Sequence, residues 1–118
     1  MALKIEEQNA EGVTVLRLVG RVTLGAESNQ LRAKLRELLD RGMTRMVLDL
    51  GEVSYLDSAG LGTLVAGYTS AGSKGASVKL ANLTKKIGEQ LSITKLVTVF
   101  EVYPDIEAAV NSFRQPPA

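Results

Sequence analysis

The sequence contains no cysteine, no histidine and no tryptophan. The absence of cysteine excludes disulfide frameworks, thiol catalysis and Cys-based zinc sites. The absence of histidine removes the usual general base of a serine nucleophile. Aromatic residues make up only 4% of the chain and the formal net charge is +1, so the basic, aromatic-rich face of a nucleic-acid binder is missing. We therefore expect no nucleic-acid partner.

Long hydrophobic runs are missing as well. No window approaches the ~18 apolar residues that a membrane-spanning helix needs, and residues 1–4 do not begin the basic and then apolar pattern of a secretory signal. We therefore expect a cytoplasmic protein with no membrane insertion. With 118 residues, of which 45% are hydrophobic and 23% charged, the chain is long enough for one soluble domain around one core.

The first half of the chain alternates between strand and helix patterns. Residues 3–6 and 13–19 flank a turn signal and predict an antiparallel hairpin. Leucines at positions 31, 35, 38 and 39 predict an amphipathic helix within residues 25–40. The nearly continuous apolar run at residues 46–50 is typical of a central strand that is covered on both faces.

A second helix is predicted to begin at Asp57 or Ser58, either of which can cap it, and to run to about Gly72. Its interior glycines give it a low intrinsic helix propensity, since each costs about 1 kcal/mol of helix stability relative to alanine. Close packing on the sheet, or a partner on the exposed face, is the expected compensation. The predicted inward stripe of this helix is Leu61, Leu64, Val65 and Tyr68.

The remaining chain predicts two more strands and two more helices. Residues 78–80 indicate a strand, residues 82–93 a short helix and residues 97–102 the last strand. Pro104 suits the first turn of a final helix, where its missing N–H costs nothing. The apolar stripe of that helix is Ile106, Ala109, Val110 and Phe113.

These patterns predict a single α/β domain over residues 1–114. Its architecture is a mixed β-sheet of about five strands with about four α-helices packed against it. No internal repeat, low-complexity tract or linker divides the chain. Residues 115–118 are expected to form a frayed tail.

The strongest functional signal lies in one hexapeptide, Asp57-Ser58-Ala59-Gly60-Leu61-Gly62. A phosphoryl group on Ser58 would sit at a helix N-terminus, where free N–H groups and the helix dipole favour an anion. It would add a charge of about −1.5 to −2 beside Asp57, enough to repel a docked partner. The alternative is that Ser58 only caps the helix and that the glycines serve packing. The residues alone leave both interpretations open.

Catalytic and nucleotide-binding motifs are incomplete around Ser58. No Ser-x-x-Lys motif is present, because residue 61 is leucine, and the 60–62 glycines lack the spacing of a phosphate-binding loop. Asp49 and Asp57 lack the acidic cluster that would hold magnesium. Lys85, Lys86 and the charges on the first helix are expected on solvated faces, with a docking surface as the alternative for either group. No catalytic residue and no metal site are therefore predicted.

The hexapeptide follows the segments Val47-Leu48-Asp49-Leu50 and Val53-Ser54-Tyr55-Leu56. In this order it resembles the signature of STAS domains, specifically the single-domain anti-sigma-factor antagonists of bacteria. The resemblance covers nearly the whole chain. Other segments that have counterparts in the family are Gly20-Arg21-Val22, Asn82-Leu83-Thr84 and Val99-Phe100-Glu101-Val102-Tyr103.

This resemblance implies a non-enzymatic partner-switching module with a STAS-like fold. The unphosphorylated antagonist would bind an anti-sigma factor that is itself a serine kinase, and so free a sigma factor for transcription. Phosphorylation at the matching position, Ser58, would break that complex, and a metal-dependent serine phosphatase would restore it. ATP and magnesium would belong to the kinase, so the resemblance implies no cofactor for this chain. The implied partner-binding residues are Val22, Thr23, Leu24, Asp57, Ser58, Ala59, Gly60, Leu61 and Gly62.

Two positions depart from the family pattern. Ala59 stands where many relatives carry a second hydroxyl, which leaves Ser58 as the unambiguous acceptor. Thr23 stands where many relatives carry an acidic residue beside the docking surface, which bears on the identity of the partner. Two alternative functions remain at this point: an accessory STAS subunit of a transport or signalling complex without phosphate switching, and a small nucleotide-binding protein.

Overall fold

The computed structural model describes residues 3–114. The described chain contains five strands, four α-helices and one 3₁₀ helix. The elements are β1 (Leu3–Ala10), β2 (Val13–Val22), α1 (Ala26–Asp40), β3 (Arg45–Leu56), α2 (Ser58–Ser73), β4 (Ser77–Ala81), α3 (Lys85–Ile93), the 3₁₀ helix (Leu96–Thr98), β5 (Val102–Tyr103) and α4 (Ile106–Arg114). The frayed tail predicted for residues 115–118 lies outside the described residues, as do residues 1–2.

The five strands form one mixed sheet in the order β1-β2-β3-β4-β5. β1 and β2 are the predicted antiparallel hairpin, and the remaining pairs are parallel. Parallel neighbours need crossover connections, which α1 and α2 supply between β2, β3 and β4. The predicted mixed sheet with about four helices is therefore confirmed.

The sheet carries a hydrophobic cluster on each face. The larger cluster contains the buried side chains of α1, α2 and α3, including Leu31, Leu64 and Ile87. The smaller one lies under α4 and includes Val47, Ala109 and Val110. Successive residues of β3 point alternately into the two clusters, because side chains alternate across a strand. This arrangement confirms β3 as a central strand covered on both faces.

The buried face of α2 differs from its predicted apolar stripe. Leu64 is buried and Leu61 and Val65 are partly buried, but Tyr68 is 38% exposed, so its assignment to the inward face is wrong. Its ring lies edge-on to that of the buried Phe100, with 5.2 Å between the ring centroids, at the margin of the buried face. The buried residues of α2 are Gly60, Thr63, Leu64 and Ala71.

The predicted strand over residues 97–102 is also wrong. Lys95 adopts the left-handed conformation, with φ of 63°, and starts the 3₁₀ helix Leu96–Thr98. The amides of Val99 and Phe100 then donate to the carbonyl of Leu96, at 2.9 and 3.3 Å, instead of to a neighbouring strand. Only Val102–Tyr103 pairs with β4 as β5.

The final helix begins two residues later than the proline suggested. Pro104 precedes Asp105, whose carboxylate accepts a hydrogen bond from the amide of Ala108 at 2.8 Å and so caps α4. Pro104 therefore lies before the helix and not in its first turn. The predicted apolar stripe of α4 is confirmed, since Ala109 and Val110 are buried and the other two members pack against them. Among residues 3–114, no helix has the length and hydropathy to cross a membrane.

Candidate functional site

The hexapeptide 57–62 lies at the carboxyl-terminal edge of the sheet, where β2 and β3 end and α1 and α2 begin. β2 and β3 are parallel, and Val22 pairs with Leu56 near the ends of both strands. The loops that follow parallel strands leave a sheet at the same edge. Leu24 and Asp57, 33 positions apart in the chain, therefore come within hydrogen-bonding distance.

Asp57 joins these two loops through its carboxylate. Its Oδ1 accepts a hydrogen bond from the amide of Gly60 at 2.8 Å, which caps α2. Its Oδ2 accepts one from the amide of Leu24 at 2.8 Å. The amides of Gly60 and Leu24 hold the pKa of the Asp57 carboxyl below its usual value, because they stabilise the charged form. The start of α2 thus carries a fixed negative charge.

Ser58 is the first residue of α2 and is exposed. The sequence left open whether Ser58 or Asp57 caps the helix, and the geometry assigns the cap to Asp57. The interpretation of Ser58 as merely a helix cap therefore does not hold. An exposed hydroxyl at this position lies in the positive end of the helix dipole, which favours an added anion.

The glycines of this segment have different environments. A Cβ on Gly60 would lie 2.2 Å from the carbonyl oxygen of Val22, so only glycine fits where α2 begins against β2. A Cβ on Gly62 would meet nothing within 4 Å. Gly60 is therefore a packing requirement of the fold, whereas Gly62 leaves an open, low surface on the exposed side of α2.

The β2–α1 loop presents an apolar side chain beside Asp57. Leu24 is a large aliphatic residue that is nevertheless 80% exposed. Thr23 turns inward, and its hydroxyl donates to Oε1 of Glu27 at 2.6 Å. The amide and hydroxyl of Ser28 both donate to the carbonyl oxygen of Thr23, at 3.1 and 2.7 Å. The loop is thus held from within while Leu24 projects outward.

Glu27 is a residue that the sequence analysis missed. Its carboxylate brings a negative charge next to Thr23, the position at which the family resemblance led us to expect an acidic residue. The signal was present as the spacing of four residues between Thr23 and Glu27 across the start of α1. It was not distinctive, because acidic residues are common in the first turn of any helix.

Gln90 is a second residue that the sequence did not indicate. Its Nε2 donates to the carbonyl oxygen of Leu56 at 2.8 Å, which ties α3 to the residue directly before Asp57. Its Oε1 is buried, with no partner among residues 3–114. No sequence pattern marks such a contact, because 34 positions separate the two residues.

The sequence-predicted contact residues all lie at this edge, but they differ in accessibility. Leu24, Ser58 and Gly62 are exposed and can touch another molecule. Val22 and Gly60 are buried and act through the backbone that they position. The partly buried members are Thr23, Asp57, Ala59 and Leu61.

Other candidate chemistry is dispersed. Asp49 lies within β3 and accepts hydrogen bonds from the amide of Gly51 at 3.0 Å and from Nδ2 of Asn82 at 3.1 Å. Roughly 25 Å of extended chain separates it from Asp57, so the two carboxylates form no pair. Within the described residues, no three acidic, histidine or cysteine side chains gather as a metal site would require.

Comparison with known proteins agrees with this geometry. The chain is 30% identical over 112 residues to BtrV of Bordetella bronchiseptica, which is provisionally named an anti-sigma factor antagonist; the match covers 95% of this chain and 96% of that protein. It is 33% identical over 81 residues to the anti-sigma-B factor antagonist of Bacillus subtilis, covering 69% and 73% of the two chains.

A solved structure shows the same fold. SpoIIAA, a cell fate determinant of Bacillus, solved in its phosphorylated form, superposes with a TM-score of 0.72 at 19% identity, covering 95% of this chain and 99% of that one. The STAS domain family matches residues 4–109, which include β2, β3, α2 and the hexapeptide that begins α2. The chain belongs to the STAS domain family.

Proposed function

We propose that this chain is an anti-sigma factor antagonist whose binding is switched off by phosphorylation of Ser58. Its unphosphorylated form binds an anti-sigma factor with serine kinase activity and so releases a sigma factor. The modified form dissociates, and a metal-dependent serine phosphatase returns it to the binding state. The chain itself supplies a docking surface and an acceptor hydroxyl, without catalysing a reaction.

The observation that carries this proposal is that Asp57, and not Ser58, caps α2. Asp57 caps α2, so the exposed hydroxyl of Ser58 can be modified without removing the cap. The added phosphate would lie near the first amides of α2, where the fold tolerates negative charge. It would also lie next to the Asp57 carboxylate, so a partner docked there would meet two adjacent anions.

The surroundings of Ser58 suit a protein partner. Leu24 offers an exposed apolar anchor on one side, and Gly62 allows close backbone approach on the other. Burial of the Leu24 side chain against a partner would remove apolar surface from water, which favours association. The Asp57–Leu24 hydrogen bond fixes the anchor relative to the acceptor hydroxyl.

The relatives support the same role. Those named above are called anti-sigma factor antagonists, and their similarity covers most of this chain. SpoIIAA, which shares the fold, exists in a phosphorylated form, so a protein of this architecture accepts phosphoryl groups. We carry both properties to this chain as parts of the proposal.

The test uses the full chain with a candidate kinase of the anti-sigma type and ATP, followed by intact-mass measurement. We expect one added phosphoryl group, lost in Ser58→Ala and kept in Ser54→Ala, which removes an exposed hydroxyl four positions away. No mass gain, or a gain that survives Ser58→Ala, would contradict the acceptor assignment.

Binding then tests the switch. Ser58→Glu should weaken binding to the same kinase while the melting temperature stays nearly unchanged, because a carboxylate is tolerated in the first turn of a helix. If phosphorylation occurs but binding is unaffected, the chain is a constitutive interaction subunit of the kind that the sequence left open. If Ser58→Ala and Ser58→Glu both unfold the protein, Ser58 has a structural role and the proposed switch is wrong.

A further inference from the structure

A groove of about 330 Å³ lies between α1 and α2. The two helices run side by side in the same direction, since their contacts follow the same order along both. Arg32 Nη2 donates to Thr63 Oγ1 at 3.4 Å near one end, and Lys74 Nζ lies 3.7 Å from an Asp40 carboxylate oxygen at the other. The groove therefore extends along most of the length of α2.

The rim of the groove is cationic. Its lining residues include three basic side chains, Arg32, Arg36 and Lys74, and no carboxylate. Among the described residues, the Arg32 guanidinium donates only to neutral oxygens, those of Asn29 and Thr63, at 3.4 Å each. Within residues 3–114, Arg36 forms no ion pair, and the Lys74–Asp40 pair joins side chains that are 55% and 64% exposed. Such a pair contributes little and exchanges readily for another anion.

The other basic residue of α1, Lys34, and Arg41 directly after the helix are both neutralised, which makes this rim distinctive. Lys34 Nζ lies 2.8 Å from a carboxylate oxygen of Glu7, and Arg41 donates to Glu7 and Glu37 at 3.0 and 2.9 Å. These pairs lie on the side of α1 that faces β1. The uncompensated positive charge of α1 is therefore concentrated on the side that faces α2.

The floor of the groove is apolar, and on the α2 side it is formed by small residues. It includes Leu35, Leu39, Ala66 and Gly67, and a Cβ on Gly67 would lie 2.6 Å from Cδ1 of Leu35. The helices thus nearly touch at this point, and small residues keep the α2 side flat. The lining residues run along α2 from Thr63 to Lys74, the residue directly after the helix, a length of about 16 Å or three helical turns.

We propose that this groove binds an acidic amphipathic α-helix of a partner protein. The apolar face of that helix lies on Leu39, Ala66 and Gly67, and its flanking carboxylates pair with Arg32 and Arg36 on one rim and Lys74 on the other. Helices that bind in grooves use anchors at positions i, i+3, i+4 and i+7, which matches a floor three turns long.

This binding mode goes beyond the Ser58 switch and does not require it. The groove nevertheless continues from the hexapeptide, because Thr63 lies one turn beyond Ala59 and its hydroxyl donates to the Ala59 carbonyl oxygen at 3.0 Å. A partner helix in the groove would therefore extend a contact made at residues 57–62.

The probe is a fluorescein-labelled, stapled helical peptide of three to four turns, with leucines at i, i+3, i+4 and i+7 and glutamates on both flanks. We expect saturable binding to the full chain that weakens as salt rises, because salt screens the charge pairs. In NMR titration, amide shifts should be confined to the groove-facing residues of α1 and α2. A peptide with lysine in place of each glutamate should not bind.

Two variants and one control test the geometry. Arg36→Glu should weaken peptide binding about tenfold or more, since an attraction becomes a repulsion. Ala66→Trp should abolish binding by filling the groove without unfolding the chain, because Ala66 is exposed. Lys85→Glu makes the same charge change at an exposed position outside the groove and should have little effect.

Several outcomes would overturn the proposal. These are the absence of saturable binding below about 1 mM, an equal loss in Lys85→Glu, and shifts that map elsewhere. Binding to phosphatidylglycerol vesicles without peptide binding would assign the groove to a membrane surface instead. A dimer that Ala66→Trp disrupts would assign it to a second copy of the chain. Because no kinase or ATP is present, failure here leaves the Ser58 proposal unaffected.

Discussion

At the scale of single residues, Asp57 determines how the site is built. One carboxylate satisfies the amide of Gly60 in its own helix and the amide of Leu24 in another loop, at 2.8 Å each. An N-cap normally serves only its own helix. Because Asp57 serves two elements, its removal affects both the start of α2 and the position of Leu24.

We expect Asp57→Ala to destabilise the chain more than Asp105→Ala, which removes a cap that serves only Ala108 in α4. Loss of a single cap costs about 1 kcal/mol. Asp57→Asn should lie between wild type and Asp57→Ala, because an amide keeps one acceptor oxygen. The measurement is urea unfolding of the three variants beside wild type. Equal losses in the two alanine variants would show that the Leu24 contact contributes nothing.

The choice between Asp57 and Ser58 could not be made from the sequence. Both residue types are good N-caps, and they are adjacent, so local propensity is the same for either register. The decision comes from Leu24, whose amide lies 33 positions earlier and is presented by the parallel pairing of β2 with β3. The position of the hexapeptide at the start of a helix could be predicted, whereas its hydrogen bonds could not.

At the scale of elements, α2 is shaped by close packing more than by helix propensity. Its sequence carries glycines that cost stability in an isolated helix. Two of them lie where a Cβ would be closer than 3 Å to a neighbour, Gly60 to Val22 and Gly67 to Leu35. The expected compensation by close packing on the sheet is therefore confirmed at Gly60, whereas Gly67 packs against α1.

Substitution at Gly60 and Gly62 should separate packing from propensity. Gly60→Ala should cost about 3 kcal/mol, because its Cβ would lie 2.2 Å from a backbone oxygen that cannot move without shifting β2. Gly62→Ala, in the same helix with open space around it, should stabilise by about 0.5–1 kcal/mol through helix propensity. Thermal or urea unfolding measures both. A neutral Gly60→Ala would mean that α2 can move away from β2.

Both errors at the element scale arise because a local sequence pattern does not record how a segment packs in the folded chain. The apolar run at residues 97–102 fits a buried strand and a packed turn equally well, since short runs carry no decisive period. Lys95 decided the outcome by adopting a left-handed conformation that lysine rarely takes. Tyr68 follows the helical period of the core stripe, but it lies at the margin of the buried face, where its ring packs edge-on against Phe100 and stays 38% exposed.

At the scale of the whole molecule, the fold follows from the alternation of strand and helix patterns along most of the chain. Parallel pairing of β2 and β3 gathers two loops at one edge, and the helices that follow leave a groove beside it. The architecture was therefore predictable from periodicity, and so was the place of the hexapeptide at a junction between a strand and a helix. The pairing of distant charges was not predictable, because no local pattern records it.

The ion pairs of the glutamates predict how the stability of the fold depends on pH. The pKa of Glu7 falls from 4.5 to about 2, first because of its hydrogen bond with Arg41 and then because of Lys34. Hydrogen bonds with Arg17 and with Arg41 likewise lower the pKa values of Glu6 and Glu37, and the amide of Gly60 lowers that of Asp57. Each group binds protons less readily in the folded chain than in the unfolded one.

The stability that these groups contribute is present above their unfolded pKa values and is lost as pH falls through the folded ones. We therefore expect the free energy of unfolding to be steady from pH 7 to about 5 and to fall between 4.5 and about 2, the range over which the pKa of Glu7 shifts. Glu7→Gln should flatten part of this fall, because the substituted side chain cannot take up a proton. The matched control is Glu89→Gln, an exposed position in α3. Urea unfolding at each pH measures the slope, and stability that rises on acidification, or an equal effect of both variants, would show that the ion pairs joining β1 to α1 do not stabilise the fold.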